Sequence, residues 1–245
     1  MQNIKVERAI ILAAGLGSRM LPVTEYLPKP LVKVLGKRII ETSLDALLAS
    51  GIEEIYVVCG YLADKFQCLR DNYPMIRFVI NDNYKHANNI SSVLCVKDLI
   101  RNAYVIEGDL LLKNSDVITP FQSESNYLAF PVRHTNDWCF YTDQNGYIRD
   151  LRIGGSDCYQ MVGISYWTEE DGEKLAEHAE WVFSSPDGKE KYWDEIALSV
   201  FKSEYKIRVR ECKPEDVIEI DTLEELQSID PIYRKGSVLD GFDQT

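Results

Sequence analysis

The sequence predicts an α/β fold: a Rossmann-like, mainly parallel sheet with helices on both faces, joined to a small mixed β lobe that faces substrate. Three observations carry this. Short β-branched runs alternate with helical periodicity through the first half of the chain, the pattern of repeated βαβ units. The two segments richest in polar chemistry, 12–31 and 107–109, each begin where a predicted strand ends, which is the edge at which open parallel sheets bind ligands. The chain has 245 residues, 45% of them hydrophobic, enough for one substantial core and too few for two full domains.

Taken in order, the apolar run at 8–12 predicts a buried strand, and the helical pattern at 40–50 stops at Gly51, a residue suited to a helix C-terminus. A strand at 54–59, a helix at 63–73, a strand at 76–80, a helix at 90–99 and a strand at 103–107 continue the alternation. The second half changes character. Strand-like runs at 127–132 and 161–167 flank a hairpin with the turn Asp143-Gln144-Asn145-Gly146 and a returning strand at 147–151; Asn-Gly is a strong hairpin signal. Helical segments at 168–181 and 192–200, strands at 207–211 and 217–220, and a short helix at 223–228 complete the pattern. Residues 1–234 therefore form a single domain, with halves at about 1–125 and 126–234. The unpatterned stretch 235–245 is either a frayed end or a linker to a further domain.

Composition excludes several classes of function. With 39 acidic against 27 basic residues and a net charge of −12, the chain repels nucleic-acid phosphates and offers no counterion release. A nucleotide ligand is still allowed, because a few local cations and a bound metal can reverse the field within one cleft. The longest strongly apolar run, 9–14, is far below the roughly 20 residues that span a bilayer. The first eight residues carry no apolar signal region, so a cytoplasmic protein is expected. The six cysteines have no Cys-x-x-Cys spacing, and none of the three histidines has the neighbours of a triad or a zinc site.

The segment Leu12-Ala13-Ala14-Gly15-Leu16-Gly17-Ser18-Arg19 leaves a buried-type strand and runs on to Pro28-Lys29-Pro30. Its small residues let the backbone approach a polyphosphate with its N–H groups pointing at the oxygens. Arg19 and Lys29 add two cations of different kind. A planar guanidinium can grip two oxygens of a leaving pyrophosphate, whereas an ammonium is a point charge suited to an α-phosphate. Two familiar phosphate loops do not fit: a dinucleotide fingerprint needs glycine where Met20 stands, and a P-loop needs Ser or Thr where Arg38 follows Gly36-Lys37.

Farther on, Asp109 follows the strand at 103–107 through Gly108, and Asp221 follows the strand at 217–220. Magnesium is commonly held by one or two carboxylates together with water and phosphate oxygens. Read alone, Asp221-Thr222-Leu223-Glu224 is equally a helix cap.

The spaced set Gly15, Gly17, Arg19, Pro22, Thr24, Pro28 and Lys29 resembles the signature of the nucleotidyltransferases of the sugar-phosphate and phosphocholine type. That resemblance implies that the glycine loop and Arg19 bind NTP phosphates, that Lys29 stabilises the reacting phosphate, and that Asp109 and Asp221 bind Mg²⁺. One departure stands out: the family's strand-Asp-x-Asp reads Glu107-Gly108-Asp109 here, which leaves the role of Glu107 open.

Over most of the chain the sequence is similar to bacterial CTP:phosphocholine cytidylyltransferases, with landmarks at Gly60-Tyr61, Tyr84 through Asn88-Asn89, Asn136-Asp137-Trp138, Gly163-Ile164-Ser165-Tyr166-Trp167, Tyr192-Trp193-Asp194 and Glu219-Ile220-Asp221. By that likeness the nucleotide is bound by Leu12, Ala13, Ala14, Gly15, Gly17, Ser18, Gly60, Tyr61, Asn88 and Ser92. The acceptor is bound by Trp138, Tyr192, Trp193, Asp194 and Glu219, since a quaternary ammonium favours π-faces with a carboxylate nearby. From composition alone, Tyr192 and Trp193 simply pack at the start of an amphipathic helix.

The implied reaction transfers CMP from CTP to phosphocholine. The nearest alternative acceptor is 2-aminoethylphosphonate, whose ammonium would lean on Asp194 or Glu219. A rival of another class is a nucleotide-binding module without turnover. Homodimerisation and fusion to a further enzyme are compatible with the sequence.

Overall fold

The computed structural model describes residues 3–234; the stretch 235–245, expected to be a tail or linker, lies outside them. The first strand, β1 (Arg8–Ala13), alternates its side chains between two cores. Ala9, Ile11 and Ala13 face α1 (Ile39–Ala49), which buries Ile40, Leu44 and Leu47 against them. Each such aliphatic side chain contributes about 1.5–3 kcal/mol on burial. Ile10 and Leu12 face the opposite layer, formed by α2 (Ile90–Leu94) and α3 (Glu169–Ser184). Helices on both faces are thus a direct consequence of an apolar strand with period two.

β1 pairs in parallel with β2 (Glu54–Cys59) on one side and with β4 (Ala103–Glu107) on the other; β3 (Arg77–Ile80) extends the sheet beyond β2. The second half adds β6 (Asn126–Thr142), β7 (Ile148–Trp167) and β8 (Arg208–Glu211), giving the seven-stranded order β8-β6-β7-β4-β1-β2-β3. β7 runs antiparallel to both β4 and β6, so the sheet is mixed where it enters the second half. At the hairpin tip Gly146 has φ 83° and the Asp143 N–H donates to the Tyr147 carbonyl at 2.9 Å, placing the turn where the sequence predicts it.

Several elements depart from expectation for identifiable reasons. The 63–73 helix is a run of 3₁₀ turns over Ala63–Leu69, because its buried residues Phe66 and Leu69 are three apart and that spacing eclipses on a 3₁₀ helix. The 90–99 helix ends at Leu94 and resumes only as a 3₁₀ turn at Lys97–Leu99. The 192–200 segment narrows to a single wide, π-type turn at Ile196–Val200. β6 and β7 are far longer than predicted because register shifts bend the pair, with Cys139 pairing both Arg152 and Gln160.

The strand that precedes Asp221 is not part of the main parallel sheet. β9 (Val217–Glu219) lies outside the main sheet and pairs antiparallel with β5 (Leu110–Leu112). Because β5 starts immediately after Asp109, this ribbon carries Asp221 back beside it, and the Ile220 N–H donates to the Asp109 carbonyl at 3.3 Å. Among the described residues no helix is long and apolar enough to cross a membrane.

Candidate active site

The loop after β1, the turn after β4 and the β5–β9 ribbon open on one cleft of about 460 Å³ at the carboxyl edge of the sheet. Its shape at the glycine loop is set by local backbone demands. Gly17 sits at φ 64°, and a Cβ there would approach Thr24 Cγ2 at 3.1 Å and Lys29 Cβ at 3.2 Å. The Thr24 hydroxyl donates to the Gly17 carbonyl at 2.8 Å, locking the loop over the segment that delivers Lys29. The Gly108 N–H donates to the Leu12 carbonyl at 2.9 Å, which ties the Asp109 turn to the same loop.

Lys29 is buried, 7% exposed, and its Nζ lies 2.7 Å from Asp109 Oδ2 and 2.6 Å from Asp221 Oδ1. Burial alone would lower its ammonium pKa; the two carboxylates outweigh that and hold it above the ordinary lysine value. Arg19 Nη2 meets the other oxygen of Asp221 at 2.9 Å. Asp221 is not the cap of the following helix, α4 (Leu223–Ile229). Thr222 fills that role: its hydroxyl accepts from the Glu225 N–H at 3.2 Å, and Glu225 accepts in return from the Asp221 and Thr222 N–H groups. The Asp221 carboxylate is thereby left to the cleft.

The acidic side is larger than the sequence suggests. Carboxylate oxygens of Glu107, Asp109 and Glu219 lie within 4.8 Å of one another, and Asp109 Oδ1 is buried with no hydrogen-bond partner among the described residues. An orphaned acceptor amid converging carboxylates fits a hard, oxygen-seeking cation. Burial, then Asp109, Asp194 and Glu219, push the Glu107 carboxyl well above the ordinary range. Burial, then Asp109 and Asp221, push Glu219 up to about 8. Glu107 is further confined by Gly163 of β7, where an added Cβ would come 2.8 Å from Glu107 Cγ. The longer acid at 107 therefore reaches a partner strand that leaves room for it. Of the expected metal pair, Asp109 thus lies within a group of three, with Glu107 and Glu219, whose oxygens could share an ion, and Asp221 faces it across Lys29, its two oxygens engaged by Lys29 and Arg19.

The remaining expected residues divide. Leu12, Ala13, Ala14, Gly15, Gly17, Ser18, Asn88 and Ser92 line the cleft, as do Trp138, Tyr192, Asp194 and Glu219. Trp138 and Tyr192 meet edge to face with ring centroids 5.5 Å apart. Gly60 and Tyr61 are not among the lining residues but join the glycine loop: the Tyr61 N–H donates to the Ala14 carbonyl at 3.2 Å. Trp193 is in the core, 2% exposed, with its ring against Tyr127 and Trp167; the large indole is worth more buried than presented to a ligand. Residues not assigned to the site from the sequence also line the cleft, among them Asn81, Met161 and two landmarks of the resemblance, Tyr84 and Asp137. Asn81 donates through Nδ2 to the hydroxyls of Ser91 and Ser92, at 2.9 and 3.0 Å, and so fixes Ser92. Its position just after β3, at the same sheet edge, is the signal that could have found it.

Among the described residues the cleft wall carries six carboxylates, Glu107, Asp109, Asp137, Asp194, Glu219 and Asp221, against two cations, Arg19 and Lys29. A polyphosphate entering it requires added positive charge.

Comparison with known proteins agrees with this geometry. The sequence profile of the nucleotidyl transferase family matches residues 8–130, the stretch that contains the glycine loop, Lys29 and Asp109. The chain is 35% identical over 234 residues to the 2-aminoethylphosphonate cytidylyltransferase of Lancefieldella rimae, covering 94% of this chain and 95% of that one. It is 30% identical over 227 residues to the choline-phosphate cytidylyltransferase of Streptococcus pneumoniae, covering 93% and 98%. The solved structure of CTP:phosphocholine cytidylyltransferase (LicC) from Streptococcus pneumoniae superposes with a TM-score of 0.85 at 32% identity, over 94% of this chain and 99% of that one. On profile, full-length similarity and fold together, this chain belongs to the nucleotidyl transferase family.

Proposed function

We propose that this protein is a Mg²⁺-dependent cytidylyltransferase that transfers CMP from CTP to phosphocholine, releasing pyrophosphate and forming CDP-choline. The observation that carries the reading is the meeting, in one cleft, of the glycine loop with Arg19 and Lys29 on one side and an aromatic pair with a buried carboxylate on the other. Loop N–H groups and Arg19 receive the phosphates that leave, and Lys29 neutralises charge at the α-phosphate. Asp109, with Glu107 and Glu219 beside it and Asp221 across Lys29, would hold the magnesium ion, which when bound supplies further neutralisation of the triphosphate.

An acceptor phosphate oxygen attacks the α-phosphorus in line, a new P–O bond forms, and the bond to the β-phosphate breaks. No general base is needed, because a phosphate monoester has a second pKa of about 6 and arrives largely ionised. Trp138 and Tyr192 offer π-faces to the trimethylammonium group, and Asp194 and Glu219 offer negative charge. A cytoplasmic location belongs to this reading, supported by an opening segment with no apolar signal region.

A second reading with the same chemistry takes 2-aminoethylphosphonate as acceptor. It is supported by the carboxylate excess in the cleft and by the similarity to a 2-aminoethylphosphonate cytidylyltransferase, since a primary ammonium needs hydrogen-bond acceptors where a quaternary one does not. Pyrophosphate release measured for each of the four NTPs against each acceptor separates these. CTP with phosphocholine is expected to give the highest kcat/KM; a higher value with 2-aminoethylphosphonate selects the second reading, and no release with any pair leaves a binding module.

A further inference from the structure

The acceptor end of the cleft contains a buried carboxylate with an unusual set of partners. Asp194 is 5% exposed and lines the cleft, yet among the described residues no Lys, Arg or His forms an ion pair with it. A buried carboxylate without a cation is costly, and burial pushes its pKa up to about 7. What opposes that cost most is a phenol, with a backbone hydrogen bond at Asp194 itself beside it: Tyr127 Oη donates to Asp194 Oδ1 at 2.8 Å.

Tyr127 lies on β6 with no exposed surface and takes no part in the cleft wall. Its ring is held on three sides, stacked on Trp193 at 6.0 Å between centroids and edge-on to Trp167 at 5.9 Å and Phe140 at 5.5 Å. Trp167 is itself fixed through its indole N–H, which donates to the Ser165 hydroxyl at 3.0 Å. The hydroxyl of Tyr127 is therefore a rigid donor aimed from the core at the back of Asp194. The same stack anchors Trp193, the residue between Tyr192 and Asp194, so one aromatic cluster sets the position of both the π-face and the carboxylate.

We infer that Tyr127 is a positioning residue for the acceptor reaction: its hydroxyl holds Asp194 oriented toward the cleft, where the carboxylate receives the acceptor's cationic group, and so sets preference for a cationic acceptor over a neutral one of the same shape. This rests on the proposed cytidylyl transfer. Tyr127 touches no substrate and acts only through Asp194.

The test compares kcat/KM for phosphocholine with that for 3,3-dimethylbutyl phosphate, which replaces the nitrogen by carbon, at saturating CTP and Mg²⁺. Should 2-aminoethylphosphonate be the better acceptor, propylphosphonate is its neutral counterpart. In the wild type the cationic acceptor is preferred. Tyr127→Phe keeps the ring and its stacks and removes one oxygen; it is expected to shrink that preference about tenfold, the scale of a hydrogen bond to a charged group, through a raised KM for the cationic acceptor. Asp194→Asn is expected to lose at least as much preference, and the double variant no more than Asp194→Asn alone. Equal loss on both acceptors in Tyr127→Phe would make Tyr127 a structural residue only, and additive losses in the double variant would separate it from Asp194; either overturns the inference. A Tyr127→Phe protein that no longer melts cooperatively also overturns it, since the hydroxyl would then be holding the fold as a whole rather than orienting Asp194. Wild-type protein without turnover on any acceptor refutes the transfer reaction itself, while turnover with no preference for the cation refutes only the role given to Tyr127 and Asp194.

Discussion

Asp109→Asn is expected to lower kcat for pyrophosphate release by about a thousandfold, the scale of removing a central electrostatic contact from a phosphoryl-transfer site, while the protein melts close to wild type. The side chain keeps its size, and an amide oxygen can still accept from Lys29 Nζ, now 2.7 Å from Asp109 Oδ2. What is lost is negative charge at the buried oxygen that has no partner, the atom best placed to bind a cation. Removing that charge also relieves Glu107 and Glu219, whose carboxyls are pushed up by burial and in part by Asp109; this offsets the weakened contact with Lys29. Turnover within tenfold of wild type would remove Asp109 from the reaction.

Lys29→Ala has the second large effect. Its ammonium joins Asp109 and Asp221, so its removal leaves two half-buried carboxylates facing each other, Asp109 with no cation and Asp221 with Arg19 alone. Turnover is expected to fall by about a hundredfold to a thousandfold, and CTP affinity, measured calorimetrically with Mg²⁺, by less than about tenfold, because Arg19 and the loop still hold the phosphates that leave. Thermal stability falls too, and this separates the two roles of the lysine. Adding Asp221→Asn to Lys29→Ala is expected to recover much of the lost stability and none of the lost turnover. Equal turnover in Lys29→Ala and wild type would end its assignment to the reacting phosphate.

The sequence was most legible where backbone and burial coincide. The strand predicted at 8–12 is Arg8–Ala13, and those predicted at 54–59 and 103–107 match the structure, because an apolar run bounded by loop residues has one way to be buried on both faces. The glycine loop and Lys29 were equally legible, since their chemistry is written in spacing along one segment. Residues brought together by tertiary structure were harder. Asp221 reaches Asp109 through a two-stranded ribbon outside the main sheet, and nothing local in 217–221 distinguishes that ribbon from a strand of the sheet. Glu107 could be noticed only as a departure from a pattern; the space that admits its longer side chain comes from Gly163 on a strand nearly sixty residues away in the chain. Trp193 illustrates the opposite error, an aromatic assigned to ligand that the core claims, as composition alone had suggested.

The account depends on the imbalance of the cleft wall, six acidic side chains against two cations, with the pKa values of Glu107, Asp194 and Glu219 already pushed up by burial, which makes a divalent ion part of how the triphosphate is accepted. Calorimetric titration of CTP into the protein with Mg²⁺ in excess, repeated in EDTA, tests this most directly. Binding is expected to be at least about a hundredfold tighter with the metal, the scale of one or two recovered charge contacts. Equally tight binding in EDTA would contradict it, since Arg19 and Lys29 would then have overcome the carboxylates alone.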